Sequence, residues 1–193
     1  ALVDLSEGYL DMLDRPAHGF GKHFNPCIDC KILMLTRARQ CMAAYNASFL
    51  VTGEVLGQRP MSQRRDTLRV IERDSGCEDI LLRPLSARLM RPTRPEREGL
   101  IQREQLLAIS GRSRRQQKAL AASLGIVDYP TPAGGCLLTD PNLAGRIRYF
   151  HEGLFPLAVN RSPDDYLLLF FLRQFPLGAG AWAATGRACG VIH

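Results

Sequence analysis

The amino-acid sequence predicts an α/β protein with a parallel sheet, and three observations carry that prediction. Short apolar runs suited to buried strands, Ser48–Thr52 and Ile80–Leu82, alternate with stretches of helical periodicity. Glycine and proline punctuate the changes, as at Gly53, Gly57 and Pro84. Beyond about residue 92 the strand signal gives way to helical and mixed segments. Strands separated by helices pair in parallel, because a parallel partner needs a long crossover. The expected organisation is a partial parallel-sheet α/β domain over 1–91, a helical linker with a Gly-Gly-Cys segment over 92–153, and a small strand-rich tail over 154–193.

The elements follow in order. Ala1 to Leu5 reads as a strand already in progress, so the chain is expected to begin partway through its domain. Ser6 and Glu7 open a short helix that Arg15-Pro16 ends. After a glycine-bearing loop, Asn25 is a good N-cap with Pro26 at the first helical position. The helix runs to about Tyr45, with Ile32, Leu33, Leu35 and Met42 inward. Strand Ser48–Thr52 follows, then a loop, then a helix from a Ser62 cap to about Arg73, then strand Ile80–Leu82. Pro92 and Pro95 mark a basic linker. Helices are predicted over Gln102–Ile109 and Arg114–Leu124, the latter stopped by Gly125. Pro130 and Pro132 lead into a Gly134-Gly135-Cys136 turn, and Asp140-Pro141 caps a helix to about Phe150. Tyr166–Leu172 and Ala181–Thr185 read as strands, with Gly178 and Gly180 suggesting a hairpin.

Composition narrows the class. Apolar residues make up 46% and charged residues 23%, as in ordinary globular domains. No apolar run approaches the about 18 residues of a membrane span, and Leu2–Leu5 lacks the features of a signal peptide. Six cysteines without secretory features point to a reducing, cytoplasmic setting where thiols do chemistry or bind metal. The net charge of +6 is concentrated: Arg83 to Lys118 holds ten Lys/Arg against Glu96, Glu98 and Glu104, or +7. Such a stretch suits a polyanion such as RNA, and equally a solvated surface.

Three cysteines carry the chemistry. Cys27 and Cys30 lie three residues apart at a helix start, on one face, where the positive end of the helix dipole favours thiolate. Cys136 follows two glycines that permit close backbone approach. Three thiolates suit a sulfur-transfer site or a metal site, with His18 or His23 as a potential fourth ligand. Cys41, Cys77 and Cys189 read as packing or surface residues and Trp182 as packing, while His151 and His193 carry no pattern.

At these motifs the chain resembles the tRNA 2-thiouridylases, ATP-dependent sulfurtransferases of the PP-loop superfamily. Asn25-Pro26-x-x-x-Cys30 is similar to the family's Asn-Pro-x-x-x-Cys, and Gly134-Gly135-Cys136-Leu137-Leu138 to its Gly-x-Cys-Phe-Ile. Ala47–Gly53 is similar to its strand ending in Ala-Thr-Gly-His, and Gln116–Gly125 to the helix before its second cysteine. The string Gly53–Gln63 (GEVLGQRPMSQ) resembles an uncharacterised thiouridylase-like branch. Glu54 stands where the 2-thiouridylases have His, and Pro60-Met61-Ser62-Gln63 replaces their Asp-Gln-Ser. The nucleotide-binding Ser-Gly-Gly-x-Asp-Ser does not occur, from which a truncated chain is expected.

The resemblance implies a PP-loop, adenine nucleotide hydrolase-like domain and ATP-dependent thiolation of a tRNA uridine. Cys136 would carry the sulfur, Cys30 would resolve or activate it, and Cys27 would assist. Gly53 and Glu54 would lie by the nucleotide, with ATP and Mg²⁺ bound mainly through the missing segment. In the alternative, Cys27, Cys30 and Cys136 hold an iron–sulfur cluster, as in PP-loop thiolases. Partners would be tRNA and a sulfur donor such as a cysteine desulfurase or sulfur relay protein, with no membrane. Arg83, Arg88, Arg91, Arg112, Arg114, Arg115 and Lys118 would meet the tRNA backbone, and the tail beyond about residue 154 is weakly similar to a small RNA-binding module. The rival class is a non-catalytic RNA-binding or metal-stabilised module.

Overall fold

The computed structural model describes residues 2–129, 136–152, 162–178 and 181–186, with the backbone alone over 171–186. The expectations for Ala1, Pro130, Pro132, Gly134, Gly135, Gly180, Cys189, His193 and the Trp182 side chain lie outside the described residues. The chain is mixed helix and sheet and divides into two units. One joins 1–26 to 133–193, and the other, the central unit, is 27–132.

In the first unit, helix α1 spans Ser6–Asp14. Leu2–Leu5 forms no strand. Instead Asp4 Oδ1 accepts from the Ser6 amide (2.9 Å) and hydroxyl (2.6 Å), a local turn that leads into the helix.

The central unit begins with helix α2, Cys27–Cys41, which tightens into a 3-10 turn at Ala43–Tyr45 and stops at Asn46 in the left-handed region. Strand β1 is Leu50–Val51, helix α3 is Arg65–Asp74, and strand β2 is Leu81–Leu82. The strands pair in parallel, Leu50 with Leu81 and Val51 with Leu82, as the alternation of elements predicts. Neighbouring strand residues face opposite ways, so each sheet face has its own core. Leu50 and Leu81 pack with Ile32 and Leu35 of α2 and Ile71 of α3. Phe49 and Leu82 pack with Ala87, Ile101 and Leu106 on the other face. Burial on both faces explains why Ile80–Leu82 is uniformly apolar.

The segment after β2 departs from expectation. The predicted linker at Pro92–Pro95 is folded as helix α4, Arg94–Arg97, in which the Glu96 carboxylate accepts from the Thr93 amide and hydroxyl, each at 2.7 Å. The predicted domain boundary near residue 91 therefore falls inside the central unit. Gln102–Ile109 forms only a 3-10 turn, Arg103–Gln105. Its backbone runs beside 84–88 instead: the Leu107 amide donates to Pro84 O (2.9 Å) and the Ile109 amide to Leu85 O (2.8 Å). Donors committed across the chain cannot close a helix. The Ser62 cap is likewise not used, since α3 starts after Arg64 and Ser62 is buried in the preceding loop. Helix α5, Arg115–Ser123, ends before Gly125, whose φ of +71° supplies the left-handed stop.

In the first unit, helix α6 spans Pro141–His151, with Asp140 Oδ1 accepting from Asn142 N (3.0 Å) and Leu143 N (2.9 Å) as the sequence predicts. The expected strand from Tyr166 is instead helix α7, Pro163–Phe171. A reciprocal cap decides it: the Ser162 amide and hydroxyl donate to Asp165 Oδ2 at 2.8 and 2.9 Å, and the Asp165 amide donates to Ser162 Oγ at 3.3 Å. Leu13, Phe24, Ile147, Phe150, Tyr166 and Leu169 form the core. Strands β3 (Leu172–Gly178) and β4 (Ala181–Gly186) pair antiparallel as the expected hairpin. No described helix is long and apolar enough to cross a membrane.

Candidate functional site

The first turn of α2 carries Cys27, Ile28, Asp29 and Cys30. Both thiols are half-buried, and Asp29 between them is buried. Asn25 and Pro26 are buried just before, with Asn25 Oδ1 accepting from the His23 amide at 3.2 Å. The helix starts one residue later than predicted, which still leaves Cys27 and Cys30 one turn apart on one face.

Lys31 directly follows Cys30. Its Nζ lies 2.5 Å from Glu54 Oε1, just beyond the end of β1. The second Glu54 oxygen accepts from Arg83 Nε at 2.9 Å, and Arg83 Nη1 donates to Glu72 of α3. Thr52 Oγ1 approaches Glu54 Oε2 at 3.4 Å. Arg83 directly follows β2, so this charged group stands at the carboxyl ends of both parallel strands. That is the edge at which open α/β sheets commonly hold ligands.

Burial raises the Glu54 pKa and is the largest single influence on it, but the combined charges and hydrogen bonds of Arg83 and Lys31 prevail. The net result lies below the ordinary glutamate value. Glu54 is thus an ionised carboxylate committed to two internal cations. Gly53, beside it, is exposed.

Arg83 must be withdrawn from the expected RNA surface. It is 2% exposed and bridges Glu54 and Glu72, so it holds the strand ends together and does not stand on an open surface. Arg88, Arg91, Arg112, Arg115 and Lys118 are exposed and Arg114 is half-buried. None of these six has a carboxylate within 4.0 Å among the described residues. Four of them, Arg112, Arg114, Arg115 and Lys118, lie in or just before α5.

In the first unit Cys136 is exposed, immediately before a 3-10 turn at Leu137–Thr139. Its carbonyl accepts from the Thr139 amide (2.9 Å) and hydroxyl (2.5 Å), which fixes the turn. Cys136 lines a mainly apolar cavity of about 500 Å³ with Leu5, Leu13, Leu138, Ile147 and Tyr166. Cys77 is fully buried, as expected of a packing residue, and Cys41 is half-buried. None of Cys27, Cys30, Cys41, Cys77 and Cys136 is in a disulfide. Sequence reasoning overlooked His151, whose Nδ1 lies 2.7 Å from the Tyr166 hydroxyl and whose Nε2 lies 3.3 Å from Asp14 Oδ1. Its only signal was its place at the end of a capped helix.

The three cysteines considered for a cluster are divided between the units, Cys27 and Cys30 in one and Cys136 in the other. Among the described residues no group of three His, Cys, Asp or Glu is arranged to hold a metal ion. In comparisons with known proteins, no family model, no curated protein and no solved structure matches the chain.

Proposed function

We propose that this chain bears the sulfur-handling part of an ATP-dependent tRNA sulfurtransferase, with tRNA and a sulfur donor protein as its partners. The observation that carries the reading is Cys136, an exposed thiol at the edge of a cavity whose walls are mainly apolar. A low-polarity wall suits a flat, uncharged ring better than it suits bulk water. The half-buried Cys27 and Cys30 on one helical turn supply further thiols, and the unpaired cations around α5 supply a phosphate-binding surface.

ATP would activate the base by making its carbonyl oxygen part of a good leaving group. The terminal sulfur of a Cys136 persulfide bonds to the base carbon, and the C–O bond breaks with oxygen leaving on the nucleotide phosphate. A second thiolate, supplied by a small-molecule or protein thiol, attacks Cys136 Sγ and breaks the S–S bond, leaving sulfur on the base. The resulting disulfide is returned to two thiols by an external thiol reductant.

Cyanide-releasable sulfur on the anaerobically purified chain, with iron and labile sulfide measured alongside, tests the reading. Persulfide sulfur that is lost in Cys136→Ala is expected. Iron with stoichiometric sulfide would replace the persulfide role with a cluster. Salt-dependent tRNA binding without persulfide or cluster would favour the non-catalytic RNA-binding module.

A further inference from the structure

The central unit contains a second cavity, about 420 Å³, between α3, the start of β2 and the segment that leads into α4. Five arginines line it, Arg65 and Arg69 on α3, Arg83 after β2, Arg91 before α4 and Arg97 in α4, beside four carboxylates. The carboxylates in the wall are mostly engaged, Glu72 by Arg83, Asp79 by Arg97 (2.5 Å) and Glu96 by Arg103. Glu78 alone, exposed at the rim, has no ion pair within 4.0 Å among the described residues. Arg65, Arg69 and Arg91 face no such carboxylate either, and Arg65 Nη1 donates only to Leu89 O at 2.9 Å.

A second observation is independent of these exposed groups. Arg83 is almost wholly buried, yet its Nη2 has no hydrogen-bond partner while Nε and Nη1 are taken by Glu54 and Glu72. An orphaned guanidinium nitrogen in a cavity wall is costly unless an acceptor completes it. An acceptor with several oxygens and one to two negative charges would answer both this donor and the three unpaired forks. A phosphate group meets that description, and arginine forks match its geometry.

The geometry points to a phosphate-binding site in this cavity, recognised by Arg65, Arg69 and Arg91 with Arg83 at the back. The site stands whether or not the thiols transfer sulfur. A terminal phosphate of a nucleotide and a backbone phosphate of RNA share the required chemistry. Calorimetric titration of the full chain with inorganic phosphate and with AMP reads the site directly. Competition by oligouridylate bearing a 5′-hydroxyl or a 5′-phosphate then distinguishes the source.

Saturable binding is expected, weakened at least about tenfold in Arg69→Gln/Arg91→Gln, since each substitution removes a charge-assisted hydrogen bond. Arg37→Gln, on α2 and outside the cavity wall, serves as the control and should leave affinity unchanged. Competition by both oligonucleotides supports a backbone phosphate, and competition by the 5′-phosphorylated one alone supports a terminal phosphate. No binding of phosphate, AMP or oligonucleotide, or equal weakening by the control, overturns the inference.

Discussion

Between residues 83 and 103, Arg83, Arg94, Arg97 and Arg103 are engaged by carboxylates while Arg88 and Arg91 are not, whereas Arg112, Arg114, Arg115 and Lys118 all have none within 4.0 Å among the described residues. The two regions read alike as sequence, yet the first pairs most of its charge with carboxylates and the second presents its charge with no carboxylate beside it. Net charge counted along a chain is therefore not the charge that a partner meets. Arg94 and Arg103 meet nearby acids, Glu98 and Glu96, but for the other two the acids come from outside the stretch, Glu54 and Glu72 for Arg83 and Asp79 for Arg97. A local count could not include them.

The largest way to break this comparison is Arg83→Met. It leaves Glu54 buried with one cation fewer and Glu72 unpaired, so unfolding free energy should fall by about 3–5 kcal/mol, read as a lower urea midpoint. An unchanged midpoint would return Arg83 to the surface role. Next is Thr93→Val, which removes the hydroxyl that donates to Glu96 at the start of α4 and should cost about 1 kcal/mol in the same measurement.

Acid sharpens the contrast further. Glu54 is held below its ordinary pKa by Arg83 and Lys31 against the pull of burial, and Asp79 is lowered chiefly by its hydrogen bond from Arg97. A carboxylate depressed in the folded state stabilises fully above its unfolded pKa, about 3.9–4.3 for Asp and Glu. That contribution is lost as pH falls through the folded value. Stability should therefore drop from about pH 5 downward, and Glu54→Gln should be less stable at neutral pH but flatter in acid. Equal slopes for the variant and the natural chain would remove Glu54 from the account.

The smallest effect on stability belongs to the outward region. Arg112→Gln/Arg114→Gln/Arg115→Gln should change unfolding free energy by no more than about 0.5 kcal/mol. Its RNA affinity should fall, and the slope of log affinity against log salt should drop by about one for each phosphate contact removed. A stability loss comparable to Arg83→Met would erase the distinction between the regions.

Much of the local structure was legible in the sequence because its causes are local. Asp140-Pro141 starts α6, Gly125 follows the end of α5, and the apolar runs at Leu50 and Leu81 become paired parallel strands. The Tyr166 run was misread because a short apolar stretch fits either element by periodicity. The Ser162 and Asp165 cap held the answer in the sequence itself. Likewise, the placement of Cys27 and Cys30 on one face followed from their spacing, and the exposure of Cys136 did not.

The sequence alone determined the start of α6 and the stop of α5, the parallel pairing of two short apolar strands, and which residue types are available for sulfur and phosphate chemistry. Tertiary structure alone decided which cations are internal, that Gln102–Ile109 would give its hydrogen bonds to 84–88, and which arginines wall a cavity. The physical reason is range. Caps and periodicity act within a few residues, while desolvation and ion pairing depend on groups brought together from anywhere along the chain, as Glu54, Glu72 and Arg83 are.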